Sequence, residues 1–173
     1  MKLISEQVEA FGLTLSFYSK NPMFSSFSWE SVREDIAKVA YLDDLFFPFP
    51  WSEKAWFDLD EGAEDYALFI LKEGPSTIVA FSLWKLSQLD GLAHLLKVMV
   101  VRDWRGRGLG TSFLDSSIEF FGRNGFLNFY LEVEETNISA WRSYESLGFE
   151  RLHKALNYYG ASRNAIKMGK ILE

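Results

Sequence analysis

The chain has 173 residues, no cysteine, two histidines and a formal net charge of −6. With 48% apolar and 17% aromatic residues it can bury a sizeable core as one domain, which argues against disorder. The missing thiols exclude disulfides, cysteine nucleophiles and cysteine-based zinc sites, and the acidic balance argues against a general nucleic-acid-binding surface.

Phe11, Leu13, Leu15 and Phe17 alternate with small or polar residues, the period of a strand with one buried face. Asn21-Pro22 marks a turn, and Phe24 to Trp29 reads as a second short strand. From Ser31 the spacing becomes helical, with Val32, Ile36, Val39, Leu42 and Phe46 on one side. Pro48 and Pro50 stop that helix at Phe47, since each biases its predecessor to an extended backbone. Phe46 to Phe57 is dense in aromatics, suited to a plug on the core, to one wall of a substrate groove, or to both. Ser52 is a candidate N-cap for a short helix through Leu59.

A meander follows: a strand from Tyr66 to Lys72, a turn at Glu73-Gly74-Pro75-Ser76, and a strand from Thr77 to Leu86. Asp90-Gly91 is a hairpin signal leading into a strand from about Leu92 to Val101. The glycine-rich turn Arg105 to Gly110 comes next, and Leu109, Phe113, Leu114, Ile118 and Phe121 then share one helical face. That helix fades at Gly122 to Gly125. Phe126 to Val133 reads as a strand, parallel to the previous one if the helix is a crossover. Asn137 caps a helix from Ile138 to Leu147, ended by Gly148, and Glu150 to Tyr159 and Ala165 to Leu172 form a last pair of strands.

Strand, glycine turn and helix together aim free main-chain N–H groups at a point before a helix N-terminus, where the dipole favours phosphate. Arg105 and Arg107 add positive charge, so the turn reads as a pyrophosphate cradle. It is neither GxxxxGK followed by Ser or Thr, having no lysine, nor GxGxxG, because the third glycine position after Gly106 and Gly108 is Thr111. It does fit R-x-x-G-x-G on Arg105, Gly108 and Gly110, which resembles the acetyl-coenzyme A signature of the GNAT superfamily of N-acetyltransferases.

Leu131 to Phe149, LEVEETNISAWRSYESLGF, is more specific. A glutamate on a buried strand is costly unless paired or solvated, so Glu132 is expected to open onto water in a cleft or to be ion-paired. Tyr144 lies on the following helix within reach of that cleft. FPWSEK (Phe49 to Lys54), the LEV…N…YESLGF segment and Asn157-Tyr158-Tyr159 followed by Ala165 to Met168 resemble the ribosomal-protein alanine N-acetyltransferase family, over roughly Trp29 to the C-terminus.

That resemblance implies an α/β (α+β) GNAT fold: a mixed, mostly antiparallel central sheet of about seven strands with helices on both faces. Residues 1–23 would be an extension packed on a single acetyltransferase domain of residues 24–173. Acetyl-CoA would be the donor. Val98, Met99 and Val100 would offer backbone groups to its pantetheine arm, and Arg105, Gly106, Arg107, Gly108, Leu109, Gly110 and Thr111 would hold its pyrophosphate. Asn137 would bond the cofactor, with Glu132 as general base and Tyr144 as general acid. Phe49, Trp51, Tyr158 and Tyr159 would frame an incoming peptide.

The expected acceptor is a protein or peptide N-terminus, possibly of a ribosomal protein, with no nucleic-acid or membrane partner and a monomeric or homodimeric enzyme. A small amine, an internal lysine, or acyl-CoA sensing without chemistry are the alternatives. Three departures stand out: the N-terminal extension, Arg163-Asn164 where the family tends to carry acidic residues, and Lys97 in place of a small polar residue. His94 and His153, far apart and without HxxxH spacing, read as surface or structural histidines. No apolar stretch reaches ~18 residues and no signal-peptide order appears, so a soluble cytoplasmic protein is expected.

Overall fold

The structure, a computed structural model, describes residues 11–21, 24, 32–62 and 64–173. In chain order these form β1 (Thr14–Ser19), α1 (Arg33–Phe46), α2 (Glu53–Phe57), β2 (Asp65–Glu73), β3 (Thr77–Ser87), β4 (Leu92–Val100), α3 (Leu109–Arg123), β5 (Asn128–Glu134), α4 (Ile138–Ser146), β6 (Glu150–Ala155) and β7 (Ala165–Ile171). The strands build one seven-stranded sheet in the order β1-β2-β3-β4-β5-β7-β6. Every neighbouring pair is antiparallel except β4 and β5, which run parallel on either side of the α3 crossover.

Helices cover both faces. Leu109, Phe113, Leu114, Ile118 and Phe121 of α3 are all buried, packing with Phe69, Trp84 and Phe129. Burying each such side chain is worth roughly 1.5–3 kcal/mol, so this stripe fixes the helix to the sheet. On the other face, Ile36 and Val39 of α1 and Trp56 of α2 pack with Ile70, Phe81 and Met99. Ser52 caps α2 by accepting from Ala55 N at 3.2 Å.

Three local expectations are corrected. The first strand begins at Thr14 rather than Phe11, because Gly12 turns the chain at φ +69°. It is the edge strand of the sheet, paired along β2, so this part of the N-terminal extension belongs to the sheet itself. The buried face of α1 is Asp35, Ile36, Val39, Ala40 and Asp43, while Phe46 is exposed. Both acids can be buried because both are partnered: Asp35 with Lys72 and the Tyr18 hydroxyl, and Asp43 with Lys97. The penultimate strand ends at Ala155 rather than Tyr159, since Asn157 takes φ +54° and its N–H bonds Asn164 Oδ1 at 3.1 Å. The second short strand read over 24–29 lies, apart from Phe24, outside the described residues.

One irregularity opens the sheet. β3 stays paired with β4 as far as Val100, but the ladder slips between Leu83 and Trp84, whose partners are Lys97 and Leu95. Leu96 is therefore an extra residue, a β-bulge, which reverses the facing of everything after it. Ala93 and Leu95 pack on the α3 side before the bulge; Val98 and Val100 do so after it, with Met99 turned to the α1 side. The β5 ladder ends at the same place, with Leu95 opposite Leu131. Beyond that pair the two parallel strands part.

Candidate active site

The gap between β4 and β5 leads into a cleft of about 620 Å³. Val98, Met99 and Val100 line one side, and Asn137, Ala140 and Tyr144 from the start and inner face of α4 line the other. Its far end is closed by the glycine turn, with Arg105, Gly106, Gly108, Leu109, Gly110 and Thr111 on its wall. Arg107 is not on that wall; its guanidinium lies over the Trp104 ring, 5.3 Å from the centroid.

The turn has the geometry of an anion cradle. Gly106 and Gly108 take φ +74° and +76°, and a Cβ on either would meet nothing within 4 Å. Side chains rarely adopt that backbone, so glycine here both permits the turn and keeps the space above it open. The first intrahelical bond of α3 is Ser112 N to Gly108 O at 3.0 Å. The N–H groups of Leu109, Gly110 and Thr111 therefore precede any helical acceptor and sit at the positive end of the dipole. Arg105 Nε donates to Val100 O at 2.7 Å, tying the turn to the free edge of β4. A pyrophosphate with an extended arm along β4 matches this donor set.

A second cleft of about 390 Å³ adjoins the first and shares Phe47, Pro48, Val98, Asn137, Ala140 and Tyr144 with it. Phe49, Trp51, Lys97, Glu132, Tyr159 and Arg163 are among the residues that line only this second cleft. Arg163 is anchored on its wall. The guanidinium makes paired bonds to Glu134 at 2.7 and 2.6 Å and lies 4.7 Å from the centroid of Phe49.

Glu132 and Tyr144 thus come to one place from different layers, the first from β5 and the second from α4. Burial pushes the Glu132 carboxyl up, but bonds from His94, Tyr130 and Tyr158 outweigh it and hold the group below the usual carboxylate range. His94 Nε2 lies 2.7 Å from Glu132 Oε2. Tyr144 is buried, which pushes its phenol up and keeps it protonated. Asn137 caps α4 by accepting from Ala140 N at 3.2 Å while lining both clefts. Tyr159 donates to the Glu132 main-chain oxygen at 3.1 Å. Tyr158 does not line the second cleft; it is half-exposed, and its hydroxyl faces the Glu132 carboxylate.

His94, which the sequence marks as a surface or structural histidine, and Arg163, which it marks as a departure from the family, both reach this site. His94 carried one signal, its place on β4 out of step with the core residues Ala93 and Leu95. Among the described residues no cluster of His, Asp and Glu is arranged to hold a metal, and no helix is long and apolar enough to cross a membrane.

Residues 36–149 match the family model described as the acetyltransferase (GNAT) family. The chain is 33% identical over 125 residues to the [ribosomal protein bS18]-alanine N-acetyltransferase of Escherichia coli (strain K12), covering 72% of this chain and 81% of that protein. The crystal structure of the ribosomal-protein-S18-alanine N-acetyltransferase from Escherichia coli superposes with a TM-score of 0.75 at 26% identity, covering 93% of this chain and 94% of that one. Arabidopsis thaliana NAA60 in complex with acetyl-CoA shares the fold at a TM-score of 0.70 and 16% identity, with 92% and 99% of the two chains covered.

Proposed function

The chain belongs to the acetyltransferase (GNAT) family and is an acetyl-CoA-dependent N-acetyltransferase, and from that premise we propose that its acceptor is the α-amine of a protein N-terminus. The observation that carries this reading is the meeting of the two clefts. They share the walls Val98, Asn137 and Tyr144, and Glu132 lies on the second side alone. Likeness to an enzyme named for acetylating the alanine of a ribosomal protein points the same way, and a ribosomal protein is the leading class of acceptor.

In this reading the first cleft holds the donor. Leu109, Gly110 and Thr111 offer N–H groups to the pyrophosphate, and the edge of β4 from Val98 to Val100 runs beside the pantetheine arm. Acetyl-CoA, when bound, supplies an acetyl thioester open to direct attack by an amine. The residues of the second cleft orient that amine: Phe49, Trp51 and Tyr159 wall the acceptor, and Glu132 takes its proton. A carboxylate held below its usual range is a weak base. It suits an α-amine of pKa ~7.7–8.0 far better than a lysine of ~10.4, since much of the former is already neutral near pH 7.5. Tyr144, kept protonated by burial, donates a hydrogen bond and then a proton to the departing sulfur.

The test supplies acetyl-CoA with three acceptors: a peptide with a free N-terminal alanine, the same peptide Nα-blocked with an internal lysine, and a polyamine. Thiol release and product mass are followed. Acetylation of the first peptide alone is expected. A response confined to the lysine peptide or the polyamine would overturn the proposed acceptor.

A further inference from the structure

We infer that His94 is a positioning residue for acyl transfer, tying back one oxygen of Glu132 so that the carboxylate stays aimed into the acceptor cleft. The inference rests on the reading of Glu132 as the base. Glu132 lines the acceptor cleft and His94 does not. The imidazole Nε2 is 2.7 Å from Oε2, the short end of the range for a bond to an ionised group. A carboxylate only accepts, so Nε2 carries the hydrogen.

Placement makes this bond a rigid one. His94 is opposite Tyr130 in the last stretch of β4 still laddered to β5, directly before the strands part after Leu95 and Leu131. Its ring is braced edge-on by Tyr130, with centroids 4.9 Å apart and planes at 65°. A glutamate side chain that is free to rotate loses up to ~2 kcal/mol of rotamer entropy when fixed. A strand-borne donor meets that cost during folding rather than during the reaction.

The neighbouring lysines make no ion pair with Glu132. On β3, Lys85, the register partner of His94, bonds Glu64 at 2.8 Å. On β7, Lys167 lies opposite Glu132, with Nζ 5.9 and 5.7 Å from the ring centroids of Tyr130 and Tyr158. Among the described residues, the ion-pair partner of Glu132 is His94 alone. Its side chain keeps 24% of its surface exposed against 11% for Glu132, so small solutes can reach the imidazole.

The experiment compares His94→Leu, His94→Gln and Glu132→Gln with acetyl-CoA and the N-terminal-alanine peptide, each variant first checked by circular dichroism. Leucine keeps bulk and removes the donor; glutamine retains an N–H. His94→Leu is expected to lower kcat about tenfold, the loss of one hydrogen bond to a charged group, with KM for acetyl-CoA unchanged. His94→Gln is expected to recover to within about threefold of the parent. If His94→Leu does not fold, His94→Ala serves, and added imidazole should restore its turnover. A parental kcat in His94→Leu, equal damage in His94→Leu and His94→Gln, or no response of His94→Ala to imidazole overturns the inference. Parental kcat in Glu132→Gln overturns the underlying reading of Glu132 instead. A slowed Glu132→Gln beside an unaffected His94→Leu removes the positioning role alone.

Discussion

Lys97 is buried against Asp43, Nζ to Oδ1 at 2.5 Å, with the rings of Phe47 and Trp51 4.5 and 5.4 Å from the ammonium. The other oxygen of Asp43 accepts from Trp51 N at 2.7 Å and Trp56 Nε1 at 3.0 Å. One carboxylate on α1 therefore fixes the aromatic wall of the second cleft to the bulged part of β4. Burial lowers the Lys97 pKa, and the bond and charge of Asp43 oppose that shift.

Removing one member of such a pair strands the other charge in the core. Asp43→Ala is expected to destabilise the fold by about 3–5 kcal/mol, read from the urea midpoint with the slope checked for constancy. Replacing Lys97 by Met in that background should return part of the loss. A double variant no more stable than Asp43→Ala would mean that the Trp51 and Trp56 bonds, not the ion pair, carry the cost.

In the proposed mechanism Tyr144 contributes to the reaction rather than to binding. Tyr144→Phe is expected to slow turnover by about 10²–10⁴-fold, the span of acid–base residues, while acetyl-CoA affinity by calorimetry changes little. Near-parental kcat in this variant would take Tyr144 out of the mechanism.

Arg163 joins the loop before β7 to Phe49 and Glu134 on the wall of the second cleft, the proposed acceptor site. Arg163→Lys loses the planar, forked contact that lysine cannot reproduce. KM for the acceptor peptide should rise several-fold, and KM for acetyl-CoA should stay put. Equal movement of both constants would place Arg163 outside acceptor binding.

The acid limb of stability carries a signature of Glu132. Its carboxyl is held below the ordinary range in the folded protein, so between that folded value and the unfolded ~4.3 the unfolded chain binds more protons. The stabilisation is complete above the unfolded value and is lost as pH falls through the folded one. Glu132→Gln should therefore flatten the fall of the urea midpoint between about pH 5 and pH 3. An unchanged slope would show that the carboxylate gains nothing from its three donors.

The amino-acid sequence by itself determined the features that span a few neighbouring residues. Apolar runs between turn signals marked β2 to β5, the α3 stripe predicted the helix face that is buried, Ser52 and Asn137 announced their caps, and the glycines of the Arg105–Gly110 turn announced its backbone. Each of these is set by local sterics and by which side of one element is apolar. The tertiary structure alone decided the rest. The Leu96 bulge exists only as a register against β3, and it turns Lys97 toward Asp43, 54 positions away in the chain. His94 meets Glu132, 38 positions on, only because β4 and β5 pair as far as Leu95 and Leu131 and then part. Spacing along a single chain carries no term for pairing between strands, so it could nominate Glu132 without finding the group that holds it.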